Sequence, residues 1–239
     1  MFTDENISNQ GERILETERP QMVREHKDRY RFARSFIRPG DSVLDCACGS
    51  GYGTKMLSSN ASQTLGMDVS PTAIEYCREK YAGSGCEFKI GNAEALELPS
   101  ASIDIYCSFE TIEHVPNPRQ LLTESRRVLR NGGTFLVSTP NRVFSNLKSG
   151  ERPSNPFHFR EWSLGEFDAE LRGYFSEVRT YCQRVKSNNK FHPKYVESKL
   201  RRLFKLPDLV PISYTKELAE ELEGGSRWMP MVFLAVCRQ

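Results

Sequence analysis

Residues 43–54, Val-Leu-Asp-Cys-Ala-Cys-Gly-Ser-Gly-Tyr-Gly-Thr, constrain this chain more than any other stretch. An apolar run ends in Asp45, and glycines follow at positions 49, 51 and 53. Lacking a Cβ, each can take left-handed backbone angles and let the main chain approach a ligand closely. An acid just before such a turn suits a cofactor that carries a positive group. A dinucleotide pyrophosphate does not require one.

Two comparisons sharpen that reading. The dinucleotide fingerprint G-x-G-x-x-G needs its third glycine where Thr54 stands, so the fit is incomplete. Asp68 follows Gly49 by 19 residues (68 − 49), the spacing of an acid that takes ribose hydroxyls at the end of the second strand. The ribose acid serves either kind of cofactor. Asp45 and the incomplete fingerprint favour S-adenosylmethionine over NAD.

At 239 residues the chain suits one α/β domain with insertions. A half-buried helix over 19–37 is closed by Pro39-Gly40. Strands are expected at 42–46, 63–68, 86–90, 102–108, 134–138, 176–183 and 229–237. Helices lie between them. One starts at 52–58, and one opens at Ser70-Pro71 and runs to about Tyr81. Another opens at Pro118 and stops at Asn131-Gly132-Gly133, and the last follows the capping box Ser163-x-x-Glu166. Alternating strands and helices mean a parallel sheet covered on both faces, with ligands at the carboxyl ends of its strands.

Composition excludes several classes. Lys+Arg 33 against Asp+Glu 31 leaves a formal charge of +2, which argues against broad nucleic-acid binding. Seven cysteines is an odd count, and Cys46, Cys48, Cys77, Cys107 and Cys237 fall in expected core elements, as buried thiols of a reducing compartment would. Cys46 and Cys48 have no second Cys pair and no nearby His, so they do not read as a zinc site. Residues 1–6 lack the basic start and apolar run of a signal peptide. No apolar stretch is long enough to span a bilayer, so a cytoplasmic protein is expected.

Taken together, these pieces resemble class I S-adenosylmethionine-dependent methyltransferases of the type 11-like group. The matching segments are Leu44-Asp45-Cys46-Ala47-Cys48-Gly49-Ser50-Gly51, Gly66-Met67-Asp68, Gly91-Asn92-Ala93-Glu94, Phe109 to Val115 and Leu129-Arg130-Asn131-Gly132-Gly133. The resemblance implies an α/β doubly wound, Rossmann-like sheet of seven mostly parallel strands, the last antiparallel. It implies that Asp45 and the turn Gly49, Ser50, Gly51 hold the methionine end of the cofactor. Asp68 would take the ribose, Val69 would line the adenine, Asn92 and Ala93 would face its edge, and Phe109 would lie beside the cofactor under the substrate. Glu25-His26-x-x-Arg29-Tyr30 resembles a subgroup associated with polysaccharide and natural-product biosynthesis. There the N-terminal helix lids the cofactor, which makes residues 1–38 a lid region and Tyr30 a contact. A packing role for Tyr30 on an amphipathic helix is an equal alternative.

The chemistry is expected after the fourth strand, at Glu110-Thr111-Ile112-Glu113-His114. Methyl transfer is an in-line displacement that must align a nucleophile and, for a hydroxyl, take up its proton. His114 is the candidate general base, with Glu113 orienting it. E-x-x-E-H with a later histidine also resembles the metal site of methyltransferases that modify 2′-hydroxyls at RNA 3′ ends. On that resemblance Glu110, Glu113, His114 and His158 would ligate a divalent ion such as Mg. The alternative is that Glu113-His114 begins a loop which His158 pins.

RNA itself is disfavoured as acceptor, because the sequence shows neither an appended RNA-binding module nor an arginine-rich tail. The segment 199–205, Lys-Leu-Arg-Arg-Leu-Phe-Lys, is basic and amphipathic. It is compatible with phosphate or membrane contact, but such a stretch is more often a solvated helix face, here over the active-site mouth. Residues 184–227 read as an insertion that shapes the acceptor site. A short-chain dehydrogenase is a poor fit, since both Tyr-x-x-x-Lys patterns, at 76–80 and 195–199, are misplaced for it. A non-catalytic cofactor-binding subunit would be expected to lose Glu110, Glu113, His114 and His158, which are present. The expectation is therefore an O-methyltransferase acting on a small-molecule or glycan acceptor. Oligomeric state cannot be read from these residues.

Overall fold

The structure, a computed structural model, describes residues 20–145, 147–224, 226 and 228–239. Residues 1–19, which hold the expected lid's first part and the stretch read for a signal peptide, lie outside them.

Helix α1 (Pro20–Arg34) leads into β1 (Ser42–Cys46), α2 (Tyr52–Leu57), β2 (Gln63–Asp68), α3 (Pro71–Lys80), β3 (Cys86–Ile90) and β4 (Ile103–Phe109). A 3-10 turn (Ile112–His114), α4 (Pro118–Val128) and β5 (Leu129–Pro140) follow, then α5 (Leu164–Arg172) and β6 (Glu177–Gln183). The insertion holds β7 (Lys186–Ser187), α6 (Pro193–Leu203), β8 (Val210–Ile212) and α7 (Lys216–Glu223). The last strands are β9 (Trp228–Met229) and β10 (Val232–Arg238).

Strands β3-β2-β1-β4-β5-β10-β6-β8 form one mixed sheet, and β7 pairs with β9 apart from it. The first five strands are parallel, and β10 runs antiparallel between β5 and β6. Order reverses between β1 and β4, so their carboxyl ends flank a crevice where ligands of such sheets bind. Successive residues of the central strands bury on opposite faces. Leu44, Tyr106 and Phe135 join one apolar cluster, while Val43, Ile105, Cys107 and Leu136 join the other. Strands covered on both faces carry mainly apolar runs, here Val43–Leu44, Ile105–Cys107 and Phe135–Val137.

Three expectations are corrected. The sheet has eight strands, not seven, because β8 adds to the edge of β6 in antiparallel register, Thr180 opposite Ile212. Pro211 at its centre can donate no ladder bond, which confines such a segment to an edge and hides it from strand patterning. The final strand does not run from 229. Pro230 separates β9 from β10, and β9 pairs instead with β7. Helix α4 ends at Val128, before Asn131-Gly132-Gly133. Those residues bulge within β5, whose register to β4 jumps from Ile103–Leu129 to Ile105–Thr134.

All seven cysteines are free thiols, six of them buried. Among the described residues, no helix is long and apolar enough to cross a membrane.

Candidate functional site

The turn after β1 is built on left-handed residues: Ala47, Gly49 and Gly51 have φ of 62°, 54° and 77°. Cys48 N–H bonds Met67 O at 2.9 Å and Gly49 N–H bonds Asp68 Oδ2 at 3.0 Å, so the turn leans on the end of β2. A Cβ on Gly49 would meet nothing within 4 Å, whereas one on Gly51 would lie 2.7 Å from Cys77 Sγ. The open side of the turn is therefore at Gly49, and Gly51 and buried Ser50 form its packed side. Gly53 differs from the expectation. It sits in α2, and its missing Cβ makes room for the Tyr30 ring, 2.0 Å from where the Cβ would be.

Asp45 lies within β1, one residue before its end, and is fully buried. Oδ2 accepts a 2.6 Å bond from Thr54 Oγ1 and Oδ1 a 3.1 Å bond from Tyr30 OH. Burial pushes its carboxyl up from 3.8 to about 6, against the two hydroxyls and with a smaller push from Asp68. Tyr30 both packs and bonds. Its ring stands edge-on to Phe109 at 5.1 Å and to Tyr52 at 5.9 Å, and burial raises its phenol well above the usual value.

Asp68 closes β2. It accepts from the N–H groups of Gly49 and Ser70, the latter at 2.9 Å, and so links the glycine turn to the start of α3. Beside it Val69 is 68% exposed, an apolar side chain open to the crevice end of the sheet. Asn92 Oδ1 caps a local turn by accepting from Glu94 N–H, and Ala93 is buried beneath it.

Two segments meet at the tips of β4 and β5. Phe159 N–H donates to Glu113 O at 2.7 Å, and the His114 Nδ1 to Phe157 O distance is 3.0 Å. These bonds bring His158 beside His114, ring centroids 4.6 Å apart and nearly perpendicular. Because a carbonyl can only accept, Nδ1 of His114 carries the proton and Nε2 is the basic nitrogen. His158 Nδ1 faces Glu161 Oε1 at 2.7 Å, and its Nε2 faces Asn155 Nδ2 at 2.9 Å. Asn155 Oδ1 accepts from Phe157 N–H, which turns the amide so that its NH2 points to His158.

Glu113 is fully buried and accepts from Thr139 Oγ1 at 3.1 Å, while its Oε1 has no hydrogen-bond partner among the described residues. Burial first, and then the charge of Glu110, hold its carboxyl well above the usual range. Ligand atoms of Glu113, His114 and His158 lie within 4.8 Å of one another. Glu110 does not join them. Its backbone is left-handed, φ 53°, and its carboxylate turns to Ser138 Oγ (2.8 Å) and Arg29 (3.4 Å). The expected four-residue metal set is thus reduced to three.

Arg29, Thr139, Asn155 and Glu161 were not singled out for roles from the sequence. Arg29 is 3% exposed, bonds Gln183 Oε1 at 2.8 Å and pairs with Glu110, which fastens α1 across the tips of β4 and β6. Its position in Glu25-His26-x-x-Arg29-Tyr30 was the available signal, but its partners are distant in sequence.

Residues 44–137 match the family described as "Methyltransferase domain". A probable S-adenosylmethionine-dependent methyltransferase of Mycolicibacterium smegmatis is 39% identical over 140 residues, 58% of this chain and 53% of that protein. A ubiquinone biosynthesis O-methyltransferase of Methylococcus capsulatus is 34% identical over 108 residues, 43% of this chain and 45% of that one. The chain spans about half the length of these curated relatives. The crystal structure of the YcgJ protein of Bacillus subtilis superposes with a TM-score of 0.60 at 17% identity, covering 90% of this chain and 99% of that one, which shows the shared fold. Residues 44–137 thus read as a methyltransferase domain, similar to those of S-adenosylmethionine-dependent relatives, and the fold around them is that of solved class I methyltransferases.

Proposed function

We propose that this chain transfers a methyl group from S-adenosylmethionine to a hydroxyl of a small-molecule or glycan acceptor. The observation that carries the cofactor is the crevice between β1 and β4: an open glycine turn at Gly49 above buried Asp45, with Asp68 tied to that turn. When bound, the cofactor supplies an electrophilic methyl on a cationic sulfur. Asp45 would balance that charge, Asp68 would take the ribose hydroxyls, and Val69, Asn92 and Ala93 would border the adenine. Tyr30 and Phe109 would wall the methionine end, with α1 as a lid and residues 184–227 shaping the acceptor site.

Choice of oxygen as nucleophile rests on His114. Its protonated Nδ1 bonds Phe157 O, so the basic Nε2 can receive the acceptor's hydroxyl proton. His114 Nε2 would take up that proton as the acceptor oxygen gains the methyl that bound S-adenosylmethionine would supply, leaving its sulfur neutral. His158, held by Glu161 and Asn155, keeps the His114 ring in place. An O-methyltransferase among the relatives supports this choice.

A second reading follows from the unpartnered Glu113 Oε1. Glu113, His114 and His158 would hold a divalent ion such as Mg, which would lower the acidity barrier of a bound hydroxyl. Calorimetric titration with Mg and Mn tests it, since binding must vanish in His158→Ala.

The test of the main reading is calorimetry with S-adenosylmethionine and its demethylated product, followed by an acceptor screen with radiolabelled donor. Asp68→Ala should weaken donor binding at least tenfold, about 1.4 kcal/mol or more. His114→Ala should spare binding and lower turnover at least a hundredfold, the scale of general base catalysis. If neither nucleoside binds while NAD does, the reading fails.

A further inference from the structure

We propose that residues 190–206, centred on α6, form a docking surface for an anionic phospholipid membrane. This inference stands apart from the transfer reaction and rests on the orientation of one helix. Surface helices normally bury their apolar stripe and expose their polar one. Helix α6 largely does the reverse, with Tyr195 the one apolar side chain of the helix that packs on the core. Lys194, Ser198 and Arg202, four apart, face the protein: Lys194 Nζ donates to Pro211 O at 2.6 Å and Ser198 Oγ to Asp208 Oδ1 at 2.7 Å. Arg202 pairs with Asp208 at 3.4 Å. Asp208 N–H in turn reaches Asp28 on α1, so polar contacts anchor the helix.

Its apolar stripe is turned outward. Val196, Leu200 and Leu203, at i, i+4 and i+7, are exposed, and Phe204 and Leu206 continue them past the helix end, with Phe191 before it. Leu203 is 72% exposed, Phe204 68% and Phe191 88%. A contiguous apolar patch of this kind marks an interaction site.

Charge decides the partner. Between 190 and 206 Lys190, Lys199 and Lys205 are exposed, Arg201 pairs with the segment's single acid, Glu197, and Lys194 and Arg202 turn to the protein, so the outward face is cationic although the whole chain is nearly neutral. Exposed leucines and phenylalanines among basic residues are the pattern of a helix lying in a bilayer interface with anionic headgroups around it. Two copies of the same face would bring these cations together, which disfavours a symmetric dimer through it.

The experiment is sedimentation of the full chain with phosphatidylcholine vesicles, with and without phosphatidylglycerol, at low and high salt. Wild type should bind the anionic vesicles, release them in high salt and ignore pure phosphatidylcholine. Leu203→Glu with Phe204→Glu should lower partitioning at least tenfold without changing the melting temperature, since both side chains are exposed. Lys199→Gln and Lys205→Gln should each lose roughly fivefold, the equivalent of about 1 kcal/mol per headgroup-facing cation, and the double variant roughly twenty-five-fold. The glutamine variant keeps the apolar stripe, so it also tests the idea should the glutamate variant fail to fold. No binding to anionic vesicles at low salt overturns the proposal, as does undiminished binding by both variants. A wild-type dimer that Leu203→Glu dissolves, with no vesicle binding, would assign the face to a second copy instead.

Discussion

Asp45→Asn should stabilise the ligand-free chain near neutral pH while it weakens binding of the donor. The wild-type carboxyl is raised from 3.8 to about 6, chiefly by burial. A folded-state value above the unfolded one means the folded chain binds more protons between the two. Asp45 is therefore harmless below the unfolded value, and stability falls as pH rises through about 6. At about 1.36 kcal/mol per pKa unit, the loss amounts to about 3 kcal/mol once the group is ionised. Asparagine never ionises, so it escapes that loss. It gives up one of two acceptor oxygens, a cost of about 1 kcal/mol, because Thr54 and Tyr30 both donate to the carboxylate. The variant should be about 2 kcal/mol more stable than wild type near pH 8, and about 1 kcal/mol less stable near pH 4. Urea unfolding at both pH values measures the difference. A variant whose stability relative to wild type does not rise with pH would refute the burial argument. Gained stability with unchanged donor affinity would instead make Asp45 a structural acid with no cofactor contact.

Two further outcomes follow from the packing around the site. Gly53→Ala drives a methyl into the Tyr30 ring and should cost about 1–3 kcal/mol in thermal or urea unfolding, with the Tyr30 bond to Asp45 disturbed as well. Glu113→Gln should match wild type in stability at acid pH, where the carboxyl is neutral in the folded and unfolded chains alike, and should exceed it near neutral pH, where burial still holds the folded carboxyl toward its neutral form. As pH climbs from the ordinary carboxylate range toward the raised folded value, wild type should lose stability and the glutamine variant should not, which parallel melts would show.

What could be read in advance was whatever chemistry is local. Strands β1, β2 and β3 span the expected residues because each is bracketed by turn signals, and Ser70 and Ser163 cap their helices as their neighbours foretell. The capping box at Ser163 and Glu166 closes in both directions. Long-range pairing was not legible. Nothing near Arg29 announces that it will bridge to Gln183, 154 residues away, or that Glu110 will follow it. Glu110 adopts a left-handed backbone that few non-glycine residues take, so the resemblance that grouped it with Glu113, His114 and His158 did not carry the direction of its carboxylate. Gly53 shows the same limit in another form. The glycine pattern was visible, but whether a ligand or a tyrosine fills the space is decided by α1, which packs there from outside the motif.

The site's protonation also bears on how donor and product would be told apart. Without a ligand, Arg29 offsets Glu110, burial keeps Glu113 toward its neutral form, and Asp45 takes up a proton below about 6. A cationic sulfonium beside Asp45 favours its ionised form, so donor binding below that value must expel a proton. Donor affinity should then weaken by up to about tenfold for each pH unit below about 6. The demethylated product keeps the ammonium of its methionine end but carries no charge on sulfur, so its affinity should fall less steeply over the same range. Calorimetry in buffers of different ionisation enthalpy separates the cases, because the donor should release more of a proton than the product. Loss of the sulfonium charge on transfer would thereby loosen the product at neutral pH. Parallel pH profiles for the two nucleosides would mean that Asp45 does not sense the sulfur.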